Sequence, residues 1–478
     1  MRNPQPAGTN GVVPHGARSA LRGAAHVPLW LDSSAAPDPR DALVGARRAD
    51  LVVVGAGFTG LWSALRALER DPGRKVVIVE GARIASAASG RNGGFVDASL
   101  THGLENGVSR FASEIDRLVA MGADNLDGIE ATIARERIDC GFERVGSIDV
   151  ATAPWQAASV EDAARLALAH GEDVEVLERS ALRDRVDSPT YLGGVFHRRT
   201  TALVDPARLA WGLASAIEAR GGIVLERSPV TSLEAVDGAV RCSTERGTVV
   251  ADRAVVATSA FPPLVRRVRR YVIPVYDYVL ATEPLDVRRR AALRWQGREG
   301  LSDMGNQFHY YRLTPDDRVL FGGYDALYYF NGAMGPRREV RPATFALLAG
   351  HFFETFPQLS GVRFTHAWGG AIDTCSRFCA FYGTAHNGRV AYAAGFTGLG
   401  VGASRFAADV LLDLLSGAET ERTSLEMVRS MPVPFPPEPL RSAVVAMTRH
   451  AIARADAADG RRGAWLRLLD RLGLGFDS

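Results

Sequence analysis

Residues 51–60 read Leu-Val-Val-Val-Gly-Ala-Gly-Phe-Thr-Gly, an apolar run that enters a G-x-G-x-x-G turn and leaves it as a helix. Gly55 permits a turn that a side chain would forbid, and Gly57 lets the backbone approach a pyrophosphate. Gly60 lets the new helix, with Phe58 and Thr59 in its first turn, pack close to a sheet. A helix over 61–70, a turn at Asp71-Pro72-Gly73, and a second apolar strand over 75–79 follow, and Glu80 closes that strand. The diphosphate of a dinucleotide would sit at the positive helix end, with the Glu80 carboxylate on the ribose hydroxyls. Gly81, Ala82 and Arg83 extend the ribose end. The unit predicts an α/β fold with a Rossmann-type domain for an adenine dinucleotide, and leaves FAD and NAD open.

Length and composition narrow the class. At 478 residues the chain has room for about three domains or one large two-lobed enzyme. Its 56 basic residues are scattered and nearly matched by 54 acidic ones, which argues against a nucleic-acid partner. Cys140, Cys242, Cys375 and Cys379 form neither a disulfide framework nor a CxxC or zinc pattern, so no metal is expected and a reducing cytoplasm fits best. Residues 1–48 lack the apolar core of a signal peptide, and no stretch approaches the roughly 20 apolar residues that span a bilayer. Lys75 is the only lysine and opens a strand of the nucleotide fold, so no lysine ammonium is expected at the active site.

The chain is expected to alternate between two lobes. Residues 48–138, 196–268 and 365–425 read as a discontinuous nucleotide-binding domain, and 139–195 and 269–364 as a β-rich second domain. Residues 1–47 form an N-terminal extension ending in an apolar strap at 27–31, and 426–478 a helical C-terminal one. Within the latter, 440–472 alternates apolar residues with arginines. A membrane surface is one reading; packing on its own nucleotide domain is favoured, because Asp456, Asp459 and Asp470 dilute the basic face.

Further segments carry chemistry. Ser89-Gly90-Arg91-Asn92-Gly93-Gly94-Phe95 exposes backbone N–H groups beside an arginine and an amide that can grip phosphate or a ring edge; the alternative is a flexible surface loop. Ala257 and Thr258 end a short apolar strand that can pass beneath a nucleotide, and Val230 is a further candidate cofactor contact. Trp368-Gly369-Gly370 lets backbone pass close to a flat ring. Gly395, Thr397, Gly398, Leu399, Gly400, Val401 and Gly402 form a glycine turn before a helix, either a second phosphate site or a helix end facing a flavin pyrimidine.

In this order and spacing, 55–60, Glu80, 89–95, Asp205-Pro206, 368–373 and 395–402 resemble the D-amino-acid oxidase-like FAD oxidoreductases, most of all the branch of γ-glutamylputrescine oxidoreductase and related amine oxidases. Residues 89–96 are the most specific element, and the likeness spans about 48–420. It implies FAD, a second lobe whose sheet roofs the flavin, and oxidation of a C–N bond in a small-molecule amine or amino acid, with O2 or another acceptor taking the electrons. Sarcosine-oxidising relatives tether the flavin through a cysteine where this chain aligns Gly369, so non-covalent FAD is expected, with Cys375 close enough to keep a bond open. The family's Gly-His-Gly reads Gly398-Leu399-Gly400 here.

Candidate substrate residues lie on two strands and a loop. Tyr276 and Tyr278 share a face and form either an aromatic wall around an amine or ordinary sheet packing. Alternation places Tyr310 and Arg312 on one face of the other strand and His309 on the opposite one. Arg312 either anchors a substrate anion or pairs with Asp316 or Asp317. His102 is a candidate base or a solvated loop histidine. The alternatives to amine oxidation are a flavin monooxygenase or NAD(P)H-dependent reductase, and a flavin-binding protein without turnover.

Overall fold

The computed structural model describes residues 15–475. Its first sheet has the strand order Phe381–Ala385, Val390–Ala394, Gly247–Val256, Gly45–Val54, Val76–Val79, Ile223–Leu225. All but the first pair run parallel. Alternation along each strand feeds two cores. Leu51, Val53 and Ile78 join helices Phe58–Arg70, Pro206–Ala219 and Gly400–Ser416 in one, while Val52, Val54 and Val77 join the Ser232–Val236 and Ala239–Ser243 hairpin in the other. Asp205 caps the Pro206–Ala219 helix by accepting from the N–H groups of Ala207 and Arg208, both at 3.0 Å.

The second, mixed sheet is built around strand Ile273–Thr282, which pairs antiparallel with both Val319–Gly323 and Phe364–Thr374. Residues 365–374 therefore belong to this sheet and not to the nucleotide domain. Register fixes which side chains face inward. Val279 lies opposite Gly322, Gly322 opposite Tyr310, Tyr310 opposite Ser302, and Ser302 opposite Asp149, so all five share one face. On strand Ile273–Thr282 that face carries Ile273, Val275, Asp277 and Val279.

Of the two readings of the tyrosine pair, the structure shows sheet packing. Tyr276 and Tyr278 point the other way, into a core with Phe345 of helix Pro342–Thr355, and are 1% and 0% exposed. Their hydroxyls are used there: Tyr276 Oη accepts from Gly335 N at 3.1 Å, and Tyr278 Oη donates to Arg338 O at 2.7 Å. His309 is also behind the sheet, with Nδ1 2.6 Å from Asp303 Oδ2 and Nε2 2.9 Å from His351 Nδ1.

Two helices, Leu104–Phe111 and Ile115–Glu136, follow the 89–95 loop. The N-terminal strap lies where expected, with Trp30 buried and its Nε1 donating to Asn92 O at 2.8 Å. The C-terminal extension does not pack on the nucleotide domain alone. Arg449 and Asp456 hold the second lobe, through Asp325 and through Asn306 and Gln307, while Arg110 of the first lobe donates to the carbonyls of Gly473 and Gly475. No described helix is long and apolar enough to cross a membrane.

Arg312 is fully buried, pairs with neither Asp316 nor Asp317, and does not line the cavity described below. Its Nη1 donates to Val204 O at 2.7 Å and to Gly94 O at 3.1 Å, and its guanidinium lies 5.7 Å from the Trp30 ring. Burial lowers its pKa to about 10, so it stays charged at neutral pH. Arg312 is thus a brace between the lobes. Arg312→Met removes the donors but keeps most of the volume, and is expected to lower unfolding free energy by about 2–3 kcal/mol, since bonds from a charged donor to buried acceptors are lost. Unchanged denaturant unfolding of the variant would show that the brace carries no stability.

Candidate active site

One cavity of about 1530 Å³ runs between the two sheets. At one end the strand Gly45–Val54 stops at Gly55, whose φ of +104° and closeness to Ala257 O, 2.5 Å from where a Cβ would stand, admit only glycine. A Cβ on Gly60 would lie 1.9 Å from Gly55 O, so the helix abuts the turn. Ser89 Oγ accepts from Phe58 N at 3.0 Å, which fastens the 89–95 loop to this helix start. Glu80 accepts from Ala56 N at 2.7 Å and Ala82 N at 2.8 Å, while burial raises its pKa. Gly57, Phe58, Thr59, Gly81, Ala82, Arg83, Val230, Ala257 and Thr258 complete this end.

Further along, Ser89, Arg91, Asn92, Gly93 and Phe95 form one side of the cavity, and Gly370 and 397–401 line it as well. Helix Gly400–Ser416 starts here, so its positive end faces the cavity. Gly398 has φ +99°, and a Cβ there would meet nothing within 4 Å, which leaves open space over the turn. An acid-closed dinucleotide turn and a bare helix end, joined in one cavity, fit FAD.

The remaining glycines shape this cradle from behind. Gly90 lies against Ala85 O, Gly94 against Val204 O, Gly369 against the Tyr278 ring, Gly395 against Cys375, and Gly402 against Asp97 O. Trp368 Nε1 donates to Arg91 O at 2.9 Å, and Arg91 donates to Ser86 O, to Gly369 O and to Glu339.

The roof presents Ile273, Val275, Asp277, Tyr310 and Ile372 to the cavity. Tyr310 Oη donates to Asp277 Oδ2 at 2.5 Å, and its ring meets Phe95 edge-on at 5.9 Å between centroids. Burial raises Asp277 to a pKa of about 6, against the opposing effect of the Tyr310 hydrogen bond. Asp97, also raised to about 6 by burial, accepts from Thr201 Oγ1 at 2.7 Å. Ser302 donates to Asp149 at 2.6 Å, and His197 lies 3.4 Å from Asp149 and 2.9 Å from Glu172. Burial opposes charge on His197, yet these two carboxylates prevail and lift its pKa to about 10.

Of the expected substrate residues, the structure brings His102 and Tyr310 to the cavity. His102 is half-buried with φ +60° and stacks on Phe378 at 6.3 Å; burial lowers its pKa to about 4, so it is neutral at physiological pH. Tyr276, Tyr278, His309 and Arg312 are elsewhere, as described. Sequence reasoning missed Asp277 and Ile372. The signal for Asp277 was present, because a residue between two tyrosines on a strand faces the side they do not.

A family model described as FAD-dependent oxidoreductase, the DAO family, matches residues 50–414. The γ-glutamylputrescine oxidoreductase of Escherichia coli is 32% identical over 408 residues, 83% of this chain and 90% of that protein. A probable oxidoreductase of Haemophilus influenzae is 27% identical, covering 80% of this chain and 86% of its own. Among solved structures, glycine oxidase from Geobacillus kaustophilus superposes with a TM-score of 0.67 at 19% identity, over 80% of this chain and all of that one. Iminodiacetate oxidase from Chelativorans gives 0.64 at 19% identity, over 80% of this chain and 98% of its own. The chain belongs to the DAO family of FAD-dependent oxidoreductases.

Proposed function

We propose that this enzyme oxidises a C–N bond of an amine or amino acid. A hydride leaves the carbon beside a neutral amine nitrogen, and water then hydrolyses the imine to an aldehyde or keto acid plus ammonia or a smaller amine. A bound FAD would accept the hydride equivalent at N5 and hand the electrons to oxygen or another acceptor. The observation that carries this reading is the Asp277–Tyr310 pair facing a cavity that continues into a dinucleotide cradle. The names of the relatives, which are amine and amino-acid enzymes, agree with it.

Each part of the site has a task. Glu80 and the turn at 55–57 would hold the adenosine half, and Arg91, Phe95 and 397–401 would hold the ring half. Attachment is non-covalent in this reading. Cys375 is buried, its Sγ directed at Cys379 O and Gly395 O, and burial raises its pKa, away from a reactive thiolate. Asp277 accepts an N–H of the substrate amine, Tyr310 fixes the rotamer of that carboxylate, and Ile273, Val275 and Ile372 exclude water beside them. The start of helix Gly400–Ser416 favours negative charge at its end of the cavity.

Three outcomes are expected. Anaerobic mixing of the holoenzyme with a panel of primary amines, N-methyl amines and D- and L-amino acids bleaches the flavin absorbance; bleaching by NADPH with none by the panel would replace this function with a reductase. Glu80→Ala weakens FAD at least about tenfold, the loss of one or two hydrogen bonds to a charged acceptor, read by quenching of flavin fluorescence. Equal affinity would remove Glu80 from the site.

The third concerns pH. Reaction through the neutral amine makes log kcat/KM rise with slope 1 below the amine pKa. Asp277 must also be ionised, and it loses its proton as pH rises through about 6, so the slope steepens to 2 below that point. Asp277→Asn restores slope 1 throughout. A wild-type profile without the steeper limb would exclude the carboxylate from substrate binding.

A further inference from the structure

The family model ends at residue 414, yet the cavity is lined well beyond it, by residues between 433 and 474. This segment is tied down along its length. Phe435 N donates to Arg270 O at 2.7 Å, Ser376 Oγ to Val433 O at 2.7 Å, and Tyr328 Oη to Glu438 at 2.6 Å. Asp456 accepts from Asn306 and from Gln307 N, and Arg110 reaches across from the other lobe to the carbonyls of Gly473 and Gly475. The extension is thus a fixed wall of the cavity, anchored on both lobes.

That wall is apolar. Helix Leu440–Asp456 gives Val444, Val445 and Ile452 to the cavity, a spacing that is one helical face, and 464–474 adds Leu466, Leu469 and Leu474. Its polar groups are spent: Thr448 Oγ1 accepts from Trp465 Nε1 at 3.0 Å and donates to Val444 O, and Arg449 pairs with Asp325 at 3.2 Å. The roof opposite offers Asp277, while its cations are engaged: His197 by Asp149 and Glu172, and Arg91 by Glu339 and two carbonyls, with Arg312 sealed away. A carboxylate placed here would lose its hydration without a partner, whereas an ammonium or amine has Asp277 and a hydrocarbon tail has the wall.

We propose that residues 433–474 are the specificity element of this enzyme, and that they select amines bearing an apolar substituent over amino acids. The proposal rests on the amine-oxidation reading above. It is tested with the full-length holoenzyme by anaerobic flavin reduction with straight-chain primary amines from ethylamine to hexylamine, and with 2-phenylethylamine against D- and L-phenylalanine, which differ from it by one carboxylate.

The expected result is a rise in kcat/KM of about fourfold per added CH2, and a preference of at least about tenfold for phenylethylamine over both phenylalanines. Val445→Asn and Ile452→Asn, each checked for flavin content and melting temperature, flatten the chain-length dependence to less than about twofold per CH2. A flat series in the wild type, equal use of phenylalanine, or an undiminished slope in both folded variants would overturn the proposal while leaving amine oxidation standing. Bleaching by no amine or amino acid at all would overturn the underlying reading with it.

Discussion

The 89–95 loop is gripped by both lobes and the strap as well as by its own Asn92, which donates to the carbonyls of Ala88 and Ser89 and accepts from Gly94 N. Trp30 of the N-terminal strap and Trp368 of the second sheet donate to the carbonyls of Asn92 and Arg91, and Arg312 donates to that of Gly94. Tyr310 lies against Gly93, and Ser89 joins the loop to the start of the dinucleotide helix. A loop so rich in glycine has little conformational preference of its own, so its shape is set by these contacts together with its local hydrogen bonds. The two lobes, the strap and the cavity between them depend on that shape, because it is where all of them touch.

The cavity has an uneven charge. Asp97, Asp277 and Asp373 line it, each raised to a pKa of about 6 by burial, while Arg91 is committed to Glu339 and backbone carbonyls and His197 to Asp149 and Glu172. The sole lysine is exposed at the start of the second nucleotide strand. Such an interior attracts a cation, and its low dielectric strengthens that attraction.

Much of the nucleotide half was legible because its constraints are local. The Gly55, Gly57 and Gly60 spacing and Glu80 each act within one βαβ unit, and most of the residues read there line the cavity. The roof was harder. Period-2 alternation separates two faces of strand Ile273–Thr282 but does not say which looks inward, and both faces are buried here. Aromatic residues suggested the substrate side, whereas Tyr276 and Tyr278 pack on a helix more than 60 residues away in sequence, and Asp277 takes the cavity. Arg312 does share the face of Tyr310, but Trp30, Gly94 and Val204 close the cavity before reaching it. The C-terminal helices announced an apolar stripe, and no local signal could say that it spans two lobes.

The placement of that stripe separates it from the cofactor cradle. The cradle for the cofactor is scattered over strands and turns from residue 55 to 401, and every piece is braced by another, so change there is penalised on many fronts. The wall on the far side of the cavity is one continuous stretch, residues 433–474. A change to its lining is therefore confined to one segment and leaves the cradle untouched.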